Sequence, residues 1–270
     1  MVSVKRLVLV PTPIGNLADV TLRALEVLKE AEVVACEDTR RTAKLLRHYG
    51  IVTPLVRLDQ HTMKRAEKLL AEHDYLAYAS DAGTPGISDP GAELVRLAWE
   101  QGFRVEVLPG PTALIPALVA SGMPTARFAF EGFLPPSGKA RRRRLEALAR
   151  EERTVVLYES PHHLSATLRD LIKLYGPEHQ VALARELSKK HEEVWRGTLA
   201  AALERFTEPR GEFAIVLAPR PQATAEPDAA ALYESLRAQG LSGRALAEAL
   251  EREGVARNQA RKLAYKKEEA

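Results

Sequence analysis

The chain has a single cysteine in 270 residues, Cys36, so no internal disulfide can form and zinc sites built on several thiolates are excluded. A reducing cytoplasm is the expected setting. Long apolar runs are missing too. A stretch such as 213–219 falls far short of the roughly 20 residues a helix needs to cross a bilayer. Near the start, Lys5 and Arg6 precede only four apolar residues before Pro11 and Pro13, which leaves no room for the apolar region of a secretory signal. Asparagine occurs only at Asn16 and Asn258, beside abundant arginine, a balance that leans towards heat adaptation.

Familiar nucleotide and metal signatures are also absent. A phosphate loop needs Gly-Lys followed by Ser or Thr, but Gly138 and Lys139 are followed by Ala140. No G-x-G-x-x-G follows the first apolar run, which argues against a dinucleotide site and against the glycine loop of ordinary Rossmann-like methyltransferases. His191, Glu192 and Glu193 do not complete a zinc helix, because Trp195 stands where the second histidine belongs. His162 and His163 are adjacent, so a helix points them apart. No metal is expected.

What is present reads as a globular α/β protein: 46% apolar and 28% charged residues, with a formal charge of only +3. Affinity for nucleic acid would therefore have to come from local clusters. Strand-like runs at 7–10, 33–36, 76–79 and 105–108 alternate with helical spacing at 21–30, 66–70 and 92–99, the rhythm of a largely parallel sheet. Gly122, Met123 and Pro124 interrupt a helical pattern, and less regular strands follow at 128–134, 154–158, 181–184, 194–197 and 213–217, consistent with mixed pairing. Helical patterns at 164–174 and 199–206 lie among them. We expect an N-terminal α/β domain over 1–123, a second α/β domain over 124–219, a Pro-rich linker over 220–229 and a helical segment over 230–270.

The most informative stretch is SDAGTPGISDPG at 80–91, directly after a strand. Its glycines permit conformations closed to other residues and its prolines stiffen the chain, so a rigid loop should sit where α/β sheets bind ligands. A plainer reading makes it a long turn, and for Asp89 we favour that role, as a cap for the next helix. PTPIGN at 11–16 and PGPTA at 109–113 also follow strands, so three bent crossings should gather around one crevice.

With ACEDTR at 35–40, GFLP at 132–135, YESPHH at 158–163 and ARELSK at 184–189, these blocks resemble the tetrapyrrole methylase superfamily. The resemblance is to its branch that methylates a cytidine ribose 2′-hydroxyl in 16S ribosomal RNA. The small-molecule branch usually carries Gly-Gly-Asp-Pro in the central loop, whereas Ala82, Gly83, Thr84 and Pro85 stand here. The resemblance implies two α/β domains with S-adenosylmethionine in the cleft between them, a homodimer, and ribosomal RNA or the small subunit as partner. By matching positions, Pro11, Ser80, Asp81, Gly83, Thr84 and Ser88, with Thr112 and Ala113, would line the donor site from the first domain. Leu157, Tyr158, Ala184 and Leu187 would approach it from the second, although Leu157 and Ala184 would be core in any strand.

Deprotonating a ribose hydroxyl calls for a positioned acceptor, and Glu37, Asp38, Asp81, His61 and Glu159 are candidates. Glu37 and Asp38 could instead pair with Arg40 and Arg41, and Thr62 and Met63 follow His61 where family members often carry Asn and Glu. For RNA, Lys139 and the run 141–144 form the densest cationic cluster. Four consecutive helical residues spread over about 300°, so they cannot share one face. Arg142 can pair with Glu146, which leaves Lys139, Arg141, Arg143 and Arg144 for phosphates, against the alternative of a solvated helix face. A second patch, Arg257, Arg261, Lys262 and Lys266, opposes an apolar surface of Leu246, Leu250, Leu263 and Ala264. It would dock on RNA or on the catalytic body.

Overall fold

A computed structural model describes residues 5–220, 229–255 and 257–265. Two compact units result, one reaching to Pro219 and one starting at Arg220. The first unit holds two five-stranded sheets.

Sheet one has the order β3-β2-β4-β1-β5, all parallel. Its strands are β1 (Arg6–Val10), β2 (Val33–Cys36), β3 (Leu55–Arg57), β4 (Tyr75–Ala79) and β5 (Arg104–Val107). The central strands β1, β2 and β4 are apolar almost throughout because both faces are covered. Helices α1 (Leu22–Glu30) and α2 (Thr39–His48) bury Val27, Leu28, Leu45 and Leu46 against Val8, Val10, Val34 and Ala77. On the other face, α3 (Ala66–Glu72) and α4 (Gly91–Glu100) bury Leu69, Leu70, Leu94 and Leu97 against Leu7, Leu9, Leu76 and Tyr78. Registers decide where function can sit. Ala79 pairs with both Val10 and Cys36, and Leu9 with Val107, so four strands end flush and release their loops at one edge.

Sheet two, of order β6-β7-β10-β8-β9, is mixed as expected: β6 (Phe128–Phe133) runs parallel to β7 (Thr154–Glu159), while β10 (Phe213–Leu217), β8 (Gln180–Arg185) and β9 (Glu193–Thr198) pair antiparallel. Helices α6 (Gly138–Leu148), α7 (Pro161–Tyr175) and α8 (Leu199–Arg205) cover one face through Leu148, Leu164, Leu168, Leu171 and Leu199. The other face is covered by α5 (Leu114–Ala120), whose Ala117 and Leu118 pack on Val156, Ala182, Ala214 and Val216. Helix α5, which precedes the break expected at 122–124, thus packs on the second sheet.

In the second unit α9 (Ala229–Ala238), α10 (Gly243–Arg252) and α11 (Arg257–Ala264) enclose Leu246, Leu250, Val255 and Ala260, with Leu263 and Ala264 packed against them. The expected linker falls, save for its ends, outside the described residues. Among the described residues no helix is long and apolar enough to cross a membrane.

Candidate functional site

The three bent loops do meet, and backbone bonds stitch them together. Thr12 and Gly83 exchange both N–H···O=C bonds, at 3.0 and 2.8 Å. The Thr12 hydroxyl donates to the Ser80 carbonyl at 3.0 Å, and the Thr84 hydroxyl to the Pro111 carbonyl at 3.1 Å. Gly83 and Gly86 hold φ of +82° and +90°, open to glycine but costly for other residues. Asp89 does what its plainer reading requires: its carboxylate accepts the N–H groups of Gly86 at 2.9 Å and Gly91 at 2.7 Å, locking the loop to the first residue of α4.

The end of β2 joins the same edge. Glu37 accepts from the Asp81 N–H at 3.2 Å while Asp81 accepts from the Asp38 N–H at 3.0 Å, and Arg41 lies 3.5 Å from the other Asp81 oxygen. Burial pushes the Glu37 carboxyl above its ordinary value, with the Asp81 N–H opposing and the neighbouring acids reinforcing the shift.

Sheet two closes the opposite wall. Burial raises the Tyr158 hydroxyl pKa, with Thr112 and the Leu114 N–H opposing the shift, and Tyr158 faces Thr112 and Ala113 of the loop after β5 across the cleft. Among the described residues, Glu186 and Ser188 are the non-glycine positions with positive φ, at 52° and 64°, and they flank Leu187. Such backbone persists only where its surroundings over-determine it, and here they do. The Glu186 N–H reaches the Glu212 carbonyl at 2.9 Å, the Ser188 N–H reaches Glu192 at 2.6 Å, and Lys189 Nζ bridges Glu186 and Glu212 at 2.8 Å each.

Between the walls lies a cavity of about 380 Å³, within the usual range of small-molecule sites. Of the residues expected at the donor, Ser80, Asp81, Gly83, Thr84, Ser88, Thr112, Ala113, Tyr158, Ala184 and Leu187 line it. Pro11 and Leu157 do not: Pro11 is buried where a Cβ on Gly110 would strike it, and the Leu157 side chain, 1% exposed, belongs to the core on the α7 side of its sheet. Sequence reasoning missed Ile14, Ile87, Phe133, Glu186 and Lys189, although each sits inside one of the ordered blocks. It also missed Arg41 and Glu212, which lie outside them. Six carboxylates and two cations line the cavity, so its field favours a positively charged ligand and opposes phosphate.

The candidate bases separate by geometry. Glu37, Asp81 and Glu159 line the cavity, and Asp38 and His61 do not. Asp38 caps α2 and pairs with Arg40, whose hydrogen bonds hold its carboxyl at about 2. His61 is exposed in a turn after β3, its N–H donated to Asp59. Glu159 is buried with both oxygens committed, one to the Ser160 N–H at 2.7 Å and one to the Thr167 hydroxyl at 2.6 Å.

Among the expected RNA contacts, Arg141 is a correction. Its side chain is only 11% exposed, and its guanidinium bonds Asp170, the Pro135 carbonyl and Thr167, each at 3.0 Å, so most of its donors are committed within the protein. Arg144 pairs with Glu131, while Lys139 and Arg143 are exposed. No ion pair joins Arg142 to Glu146. On α11, Arg257 lies 4.0 Å from Glu251, Arg261 and Lys262 are exposed, and Lys266 lies outside the described residues.

Comparison with known proteins gives a consistent picture. The family model for tetrapyrrole (corrin/porphyrin) methylases matches residues 6–203. A protein of Synechocystis sp. named ribosomal RNA small subunit methyltransferase I is 51% identical over 218 residues, 78% of each chain. Its namesake in Thermotoga maritima is 45% identical over 78% of this chain and 97% of its own. Among solved structures, uroporphyrin-III C-methyl transferase from Thermus thermophilus, complexed with S-adenosyl homocysteine, superposes with a TM-score of 0.58 at 24% identity, over 79% of this chain and 97% of its own. Diphthine synthase does so with 0.61 at 15% identity, over 78% and 89%. At those identities the likeness to the solved structures is one of fold.

Proposed function

This chain belongs to the tetrapyrrole (corrin/porphyrin) methylase family, and from that premise we propose that it transfers a methyl group from S-adenosylmethionine to small-subunit ribosomal RNA, at the 2′-hydroxyl of a cytidine ribose. The observation that carries this reading is the cleft itself: mostly apolar, lined from both sheets and rich in carboxylates. Such a site suits a sulfonium ligand and disfavours a nucleotide held by its phosphates. The names of the relatives supply the acceptor class.

The residues present fit the donor. Ile14, Ala113, Ala184 and Leu187 offer apolar surface to an adenine, and Thr84, Ser88 and the glycine-exposed backbone of the loop after β4 offer donors to a carboxylate. S-adenosylmethionine supplies an already activated methyl, so the protein's task is chiefly alignment and proton removal. Glu37 is the acceptor the geometry supports. It lines the cleft, one oxygen is oriented by the Asp81 N–H, and burial raises its proton affinity. Glu159, with both oxygens occupied, instead anchors the end of β7 to α7.

The test is to incubate the protein with tritiated S-adenosylmethionine and small ribosomal subunits whose RNA is unmethylated, then digest and identify the labelled nucleoside. Label in 2′-O-methylcytidine is the expected result. Label on a base, or transfer to uroporphyrinogen in place of RNA, overturns the proposal.

A further inference from the structure

The acidic cleft raises a physical problem: an RNA strand reaching it must be held where the field is positive. That condition is met beside it. A second cavity, about 460 Å³, shares Arg41, Ser80, Asp81 and Lys189 with the first and opens onto Thr42 and Lys44 of α2. Helix α2 reads TRRTAKLLRH, with Thr42, Leu45 and Leu46 buried and Arg40, Arg41, Lys44 and Arg47 exposed.

The bland reading, a solvated helix face, fits α2 poorly. On α3, α4 and α10 exposed cations are neutralised at i,i+4, as in Lys68–Glu72, Arg96–Glu100 and Arg244–Glu248. On α2 there is no acid, and Arg40 and Lys44 stand one turn apart, as do Lys44 and Arg47, a spacing at which like charges repel. Arg40 and Arg41 are tethered by Asp38 and Asp81. Among the described residues neither Lys44 nor Arg47 has an ion-pair partner.

We propose that Arg41, Lys44 and Arg47 form a phosphate track that carries the backbone of the acceptor RNA along α2 to the mouth of the cleft. From Arg41 to Arg47 the track runs about 9 Å along the helix axis. Arg41 lies at its inner end, in both cavities, where the last phosphate is handed past the carboxylates. The inference rests on the RNA reading above and assigns the chief phosphate contacts to α2 in place of α6.

Charge reversal at the two unpaired positions, Lys44→Glu with Arg47→Glu, tests it, with Lys139→Glu and Arg143→Glu on α6 as the comparison. Binding of a short fluorescein-labelled single-stranded RNA is measured by anisotropy across a salt series, and S-adenosylhomocysteine binding by calorimetry. The α2 variant should bind RNA at least about tenfold more weakly. The slope of log affinity against log salt should fall by about 1.4, two contacts at roughly 0.7 each for single strands. Binding of S-adenosylhomocysteine verifies that the fold is intact. RNA affinity and slope unchanged in the α2 variant, or lost only in the α6 variant, overturn the track while leaving the RNA reading in place. Failure of the unaltered protein to methylate ribosomal RNA overturns the reading itself.

Discussion

Replacing Gly15 with alanine probes how the loop after β1 is locked to the strained loop after β8. A Cβ built on Gly15 overlaps Cγ of Lys189 and comes within 3.2 Å of the Leu187 carbonyl oxygen. Ordinary carbon–carbon contact is about 3.5–4.0 Å, so a gap of roughly an ångström or more must open. Lys189 cannot swing aside freely, because its ammonium holds Glu186 and Glu212 at 2.8 Å each. Two responses are available. Breaking those bonds costs about 1 kcal/mol each once partial exposure is discounted, and displacing the loop costs about 1–3 kcal/mol as overpacking. Either response displaces Lys189 or Leu187, both of which line the cleft, so Gly15→Ala should weaken S-adenosylhomocysteine about 5- to 150-fold. Calorimetric titration of the wild type, Gly15→Ala, Lys189→Ala and the double variant isolates the cause. Lys189→Ala removes the struck atoms, so in that background the second substitution should cost less than about threefold, and the two penalties should not add. Strictly additive penalties, or wild-type affinity in Gly15→Ala, refute the reasoning.

Three further outcomes follow from the same geometry. Glu37→Gln keeps an acceptor for the Asp81 N–H but abolishes proton uptake, and kcat should fall about 10²- to 10⁴-fold. Because burial raises the Glu37 pKa, the wild-type rate should climb with pH through a value above 4.5, a limb absent from the variant; a wild-type pH profile in Glu37→Gln refutes its role. Arg141→Ala removes the bonds to Asp170, Thr167 and the Pro135 carbonyl and should cost about 2–4 kcal/mol in urea unfolding, while leaving the salt slope of RNA binding unchanged. Asp59 and Glu151 are held at about 2, the first chiefly by the Thr62 hydroxyl and the second by Arg153, below unfolded values of 3.8 and 4.5. Their contribution to stability is thus complete above the unfolded values and lost as pH falls towards 2, so the thermal midpoint should drop over that window and drop less in Asp59→Asn with Glu151→Gln.

The elements that sequence reasoning locates are those with strong one-dimensional signals. Strands such as β1, β4 and β10 are continuous apolar runs because both faces are buried, and α4 and α7 repeat buried leucines at helical spacing. Two elements escape for physical reasons. Strand β3 is a three-residue edge strand with no fully buried position, so its pattern carries almost no burial. Helix α2 hides behind its own cations: five of its ten residues are Arg, Lys or His, and Leu45 and Leu46 alone mark an apolar face. The same asymmetry explains the misreading of Arg141. A run of arginines looks like surface, and the Asp170 that neutralises the first of them lies 29 residues away on another helix.

The cleft divides along the same line. Its Gly- and Pro-bent loops were legible because each is encoded locally, in residues that permit one unusual backbone path, and because parallel strands release their loops at a common edge. The closure of the cleft was not legible, since it depends on pairs distant in sequence: Gly15 with Lys189, Glu186 with Glu212, Tyr158 with Thr112. The Glu186–Glu212 contact follows from β10 lying between β7 and β8, a pairing that places Phe213 opposite both Glu159 and Arg185. Local residues thus determine which ligand chemistry the loops can offer, whereas strand order determines whether the two walls stand close enough to exclude water. Substitutions at the long-range pairs should accordingly alter donor affinity without altering the loops themselves.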